Sequence, residues 1–114
     1  MMTILALVVA LQVPTAFEAH AVRANGATAR YVLRAAACAD RLPVDTRDNV
    51  TEVAEVVFDR EQIDALWAEG RTYARTVPVG QAGTEACQAI VLRERAAALD
   101  ALRWMSATFL RVRQ

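Results

Sequence analysis

An all-α fold is what this 114-residue sequence predicts: a small helical bundle of about four helices, the first and last antiparallel and joined by one disulfide. Three observations lead there. Apolar residues recur at three- and four-residue steps through most of the chain after Thr28, which is the helical period. Pro43, Pro78 and the Gly80–Gly83 stretch interrupt that period and divide it into segments. Cys38 and Cys87, the only two cysteines, each fall on the apolar stripe of their own segment.

The N-terminus reads as an export signal. Ile4 to Val13 is nearly all apolar, and a run of about ten residues is too short for a membrane span, which needs roughly 20. Pro14 breaks the run, and Ala19-His20-Ala21 supplies a small-x-small cleavage pattern. The sequence therefore predicts a signal peptide over 1–21 and a single helical domain over 22–114. No Lys or Arg precedes the apolar run, so an amphipathic or buried N-terminal helix is the competing reading. Cleavage removes Glu18 and His20, the sole histidine, leaving 12 acids against 13 arginines and a net charge near +1. That balance argues against nucleic acid or an anionic membrane as partner, and no stable membrane insertion is expected after processing. Two cysteines in an exported chain of this size are most simply a disulfide. Closing a loop of about 50 residues stabilises a fold by roughly 4 kcal/mol.

The elements follow in order. Asn25-Gly26 is a turn signal, so the first helix is expected from about Thr28, ending before Pro43. Tyr31, Ala35, Cys38 and Leu42 form its buried stripe. Pro43 to Asn49 reads as a loop. Asp48 or Asn49 can cap a second helix, in which Val50, Val53, Ala54 and Val57 recur at helical spacing; its β-branched content also allows a strand. Asp59 with Gln62 three residues on is a capping-box pattern. The third helix then carries Ile63, Leu66, Trp67, Tyr73 and Ala74, with Gly70 as an internal weak point, and ends before Pro78. Thr84 caps the last and longest helix. There Cys87, Val91, Ala98, Leu102, Met105 and Phe109 face inward, while Arg93, Glu94, Arg95, Asp100 and Arg103 mostly face solvent. A bridge from the end of helix one to the start of helix four makes the two antiparallel.

Catalytic chemistry has little to work with. Hydrolysis and group transfer usually need an activated nucleophile or a tuned acid–base pair. After processing there is no His, Ser106 is the only serine, and both cysteines are committed to the bridge. Neither a Ser–His or Cys–His arrangement nor a Cys/His zinc site can be assembled. Glu52 and Glu55, and Asp59 and Glu61, are paired acids of the kind glycoside chemistry uses, but acids near helix N-termini are favoured by the dipole anyway. Asp45, Asp48 and Glu52 lack the ligand density of a calcium loop. No catalytic residue, metal or cofactor is expected.

One resemblance bears on function. Cys38-Ala39-Asp40-Arg41-Leu42-Pro43-Val44-Asp45 resembles the segment after the first cysteine of HdeA-type periplasmic acid-stress chaperones, with Asp at the second following position, Leu at the fourth, then Val-Asp. Val53-Ala54-Glu55-Val56-Val57 is similar to that family's short apolar helix. Thr76-Val77-Pro78 and Glu85-Ala86-Cys87-Gln88 resemble the surroundings of its second cysteine. Ala36 stands where the family has an aromatic residue, and the last helix is Arg-rich where the family's is Lys-rich. The resemblance implies a protein that is folded and dimeric at neutral pH and loosens in acid. As the 12 acids protonate near pH 4, net charge would climb from about +1 toward +13, because Arg does not titrate.

The expected function is an exported, periplasmic or secreted, non-enzymatic helper: an acid-activated chaperone exposing apolar surface at low pH, with a homodimer allowed for. Val53, Val57, Leu66, Trp67 and Phe109 are the client- or partner-binding candidates. The alternative is a periplasmic binding module that holds one specific protein partner: an inhibitor, an immunity protein or a small subunit of an envelope complex.

Overall fold

A computed structural model of the chain describes residues 16–74 and 83–113. Four α-helices and one short 3-10 turn make up these residues: α1 (Ala16–Ala37), the turn (Ala39–Arg41), α2 (Thr46–Ala54), α3 (Arg60–Tyr73) and α4 (Thr84–Arg113). The expected all-α class is the one observed, and the segment open to a strand reading is helical.

Helix α1 starts at Ala16, well before the Thr28 that the sequence predicts. Asn25 and Gly26 are inside it, and no residue of the described chain has positive φ. Glycine in a helix interior costs about 1 kcal/mol relative to alanine. The helix nonetheless continues through Gly26, with Ala24 and Thr28, one turn apart, both fully buried. The helix also runs without a break through Ala21, the expected cleavage point.

After the 3-10 turn, Leu42 is extended and the Pro43 carbonyl accepts from the Thr46 amide, opening α2. Asp45, not Asp48 or Asn49, stands at the N-cap, without a side-chain cap bond. Val50, Val53 and Ala54 are buried, and α2 stops at Ala54, so Val57 lies beyond it, half-buried. The capping box at Asp59 forms as its spacing predicts: the Gln62 amide donates to Asp59 Oδ1 at 2.7 Å and the Asp59 amide donates to Gln62 Oε1 at 2.9 Å. Ile63, Trp67 and Gly70 form the buried face of α3, whereas Tyr73 is half exposed. The expected loop through Pro78 falls mostly outside the described residues.

Gly70 is not a weak point. A Cβ placed on it would lie 2.5 Å from the Leu33 carbonyl oxygen and 2.7 Å from the Ala36 Cβ. Only a residue without a side chain lets α3 settle this closely on the backbone of α1.

Helix α4 has 30 residues, a rod of about 45 Å at 1.5 Å per residue. Its first intrahelical acceptor is the Gly83 carbonyl, so Thr84 is the first helical residue and not the cap. It packs more extensively on α1 than any other element does. The pairing runs His20 with Trp104, Arg23 with Asp100, Arg34 with Glu94 and Cys38 with Cys87. One number rises as the other falls, which is the antiparallel arrangement expected.

Candidate functional site

The disulfide forms between Cys38 and Cys87, whose Cα atoms are 5.8 Å apart and 49 residues apart in sequence. Both residues are fully buried, at the end of α1 and in the first turns of α4. Tyr31, Val32, Ala35 and Ala36 on α1, Val50 and Val53 on α2, Ile63 and Trp67 on α3, and Val91 on α4 belong to the same core.

The expected client-binding side chains are part of this folded core. Val53 and Trp67 are buried, and Val57 and Leu66 are partly buried against the same cluster. The Arg47 guanidinium lies 5.0 Å from the Trp67 ring centre and pairs with Asp64 at 3.4 Å, tying α2 to α3. An arginine over an indole face contributes roughly 0.5–1 kcal/mol at such an exposed position. Phe109 is in the last turns of α4, and its side chain lies outside the described residues.

Glu94 departs from the expected solvent face. It is only 5% exposed, on the α1-facing side of α4, and accepts a hydrogen bond from the Arg34 guanidinium. Its Oε2 is buried and has no hydrogen-bond partner among the described residues. A buried carboxylate held on one side alone is poorly compensated. This ion pair lies within two helical turns of the disulfide: Arg34 precedes Cys38 by one turn, and Glu94 follows Cys87 by two. The signal was present in the stripe on α4, which steps from Val91 directly to Ala98 and passes over position 94, the one that completes the three-four rhythm.

The remaining acids are placed as surface groups. Glu55 pairs with Arg60, Asp40 with Arg71 and Asp100 with both Arg23 and Arg103. Asp59 is spent on its cap. Asp45, Asp48, Glu52 and Glu61 are exposed, and no group of three or more metal-ligating side chains converges among the described residues. No helix among them is long and apolar enough to cross a membrane.

A groove of about 470 Å³ opens beside the disulfide, where α1, the segment after the 3-10 turn, and the first turns of α2 and α4 meet. Leu42, Pro43, Val91 and Leu92 form apolar walls, and Tyr31 and Arg95 supply a polar side. Burial raises the Tyr31 phenol above its ordinary value, while the Arg95 guanidinium bonded to it pulls the other way. Sequence periodicity could not reveal this groove, because its walls come from three segments distant along the chain.

No family model, curated protein or solved structure matches this chain. The functional reading therefore rests on the residues themselves.

Proposed function

We propose that this protein is an exported, non-enzymatic helper that opens in acid and holds unfolding clients, a chaperone of the HdeA-like kind its cysteine segments resemble. The observation that carries the reading is the pairing of the buried Glu94 with the partly exposed Arg34 in the seam between the two longest described helices. At neutral pH it joins α1 to α4. The tie is a charge-assisted hydrogen bond between a guanidinium and a carboxylate, and it weakens when either partner is neutral. Every arginine remains charged while the other carboxylates are neutralised, so repulsion rises across a small domain. Separation of the helices uncovers Val53, Val57, Leu66 and Trp67, now packed in or against the core. The Cys38–Cys87 bridge survives acid and limits how far the opened chain expands.

The test pairs function with the tie. The purified chain is mixed with an aggregating client at neutral pH and at about pH 2–3, well below the carboxylate range. Suppression of aggregation in acid alone is the expected result. Glu94→Gln, a neutral isostere, should bind a hydrophobic dye at a higher pH than wild type, since it begins without the tie. Identical opening curves for the two proteins would remove Glu94 from the mechanism. Absence of suppression at both pH values, with one tight partner recovered by pull-down, would favour the specific binding module instead.

A further inference from the structure

We infer that the groove beside the disulfide is a binding site for a short apolar peptide, held by its free C-terminal carboxylate. This is separate from the acid-opened surface, because it exists in the closed fold. Its volume of about 470 Å³ falls within the range of roughly 300–1,000 Å³ that small-ligand sites occupy.

Two features define the ligand. The first is the cation. Arg95 makes no ion pair among the described residues, whereas Arg23, Arg34, Arg47, Arg60, Arg71 and Arg103 each hold a carboxylate. Its contact is the Tyr31 hydroxyl. A guanidinium has five N–H donors in a fixed fork. Tyr31 is buried and backs the wall, so the exposed Arg95 alone supplies the paired donors on the groove's polar side, the pattern that a carboxylate accepts best. Gln88 lines the same wall one helical turn before Val91, and its carboxamide is a further donor for the peptide backbone.

The second feature is the mouth. Asp45 lines the same groove, is exposed and makes no ion pair among the described residues. A plain anion such as a fatty acid is repelled there, while a peptide with a free amine is not. Leu42, Pro43, Val91 and Leu92 then face the apolar side chains between the two charged ends. Leu92 is 65% exposed, so the wall it forms is uncovered in the free protein and gains burial when a peptide is seated.

The experiment titrates leucyl-phenylalanine into the full chain at neutral pH, read by calorimetry and by NMR shifts of the Leu92 methyls and of the Asn49 and Gln88 carboxamides, all of which line the groove. Saturable binding with shifts confined to those groups is expected. Amidating the peptide C-terminus, or Arg95→Gln, should each weaken binding by about ten-fold, the loss of one charge-assisted contact. Acetylating the amine, or Asp45→Asn, should weaken it about three-fold, as for an exposed pair. Leu92→Arg, at an exposed position that leaves the fold intact, should abolish binding by filling the mouth, with an unchanged circular dichroism spectrum. Octanoate should bind more weakly than the dipeptide. The proposal is overturned by equal affinity for the amidated peptide, by unchanged binding to Arg95→Gln or Leu92→Arg, by shifts elsewhere, or by no saturation up to about 10 mM, where binding energy falls below that of one specific contact. None of these outcomes depends on behaviour in acid.

Discussion

The two ends of the α1–α4 hairpin are built differently. At the crosslinked end, Tyr31, Val32, Ala35, Ala36, Ala37 and Cys38 are all buried, and α2 and α3 pack against α1. At the other end, no residue from Ala16 to Arg23 or from Arg103 to Thr108 is fully buried. Contacts there include the His20–Trp104 stack, with ring centres 6.2 Å apart, and the Arg23–Asp100 pair at 3.2 Å. Among the described residues, one pair of helices thus passes from a covalently fixed, four-helix core to an end where no side chain is fully buried. The contrast teaches that the stability of a long helix is local: the same α4 is anchored by its first turns and lightly held by its last ones.

Breaking the covalent end should have the largest effect. Replacing Cys38 and Cys87 together by alanine frees a loop of 49 residues, and the chain-entropy model puts the loss at roughly 4 kcal/mol. Thermal unfolding of oxidised and reduced protein, beside the double variant, measures it. A loss under about 1 kcal/mol would mean that packing alone holds this end.

Gly70→Ala probes the same end through packing. The new methyl meets a backbone carbonyl that cannot rotate aside, so α3 must shift off α1. The expected destabilisation is about 1–3 kcal/mol, read from denaturant unfolding. A neutral or stabilising result, as helix propensity alone would give, would show that α3 sits more loosely than described.

The open end should respond least. Asp100→Asn removes the exposed pairs to Arg23 and Arg103, and less than about 1 kcal/mol is expected. Hydrogen exchange sharpens the comparison: amides of residues 103–108 should exchange well before those of residues 87–94. Equal protection at both ends would erase the distinction.

Much of the crosslinked end is legible in the sequence. Cys38 and Cys87 lie in phase with apolar neighbours, and the Asp59–Gln62 box is a local pattern with a local cause. What escapes depends on partners far along the chain. Asn25-Gly26 spells a turn in isolation, yet it is helical because Ala24 and Thr28 are buried in the tertiary structure, where Ala98 and Ala101 line the facing helix. Gly70 is a helix weakener by propensity and a contact residue only because Leu33 and Ala36 are beside it. Glu94 reads as a solvent-facing residue by its charge, although its position belongs to the buried stripe; its partner Arg34 is 60 residues away. The client-binding candidates are plainly apolar in the sequence, but only the fold brings Val53, Val57, Leu66 and Trp67 into one cluster.

The position of the bridge sets the topology of any unfolded form. Because the sulfurs join residues 38 and 87, α2 and α3 lie within a closed covalent ring, while α1 and most of α4 are two arms leaving it at one knot. However far the arms swing, Val53, Val57, Leu66 and Trp67 stay on the ring, within reach of one another.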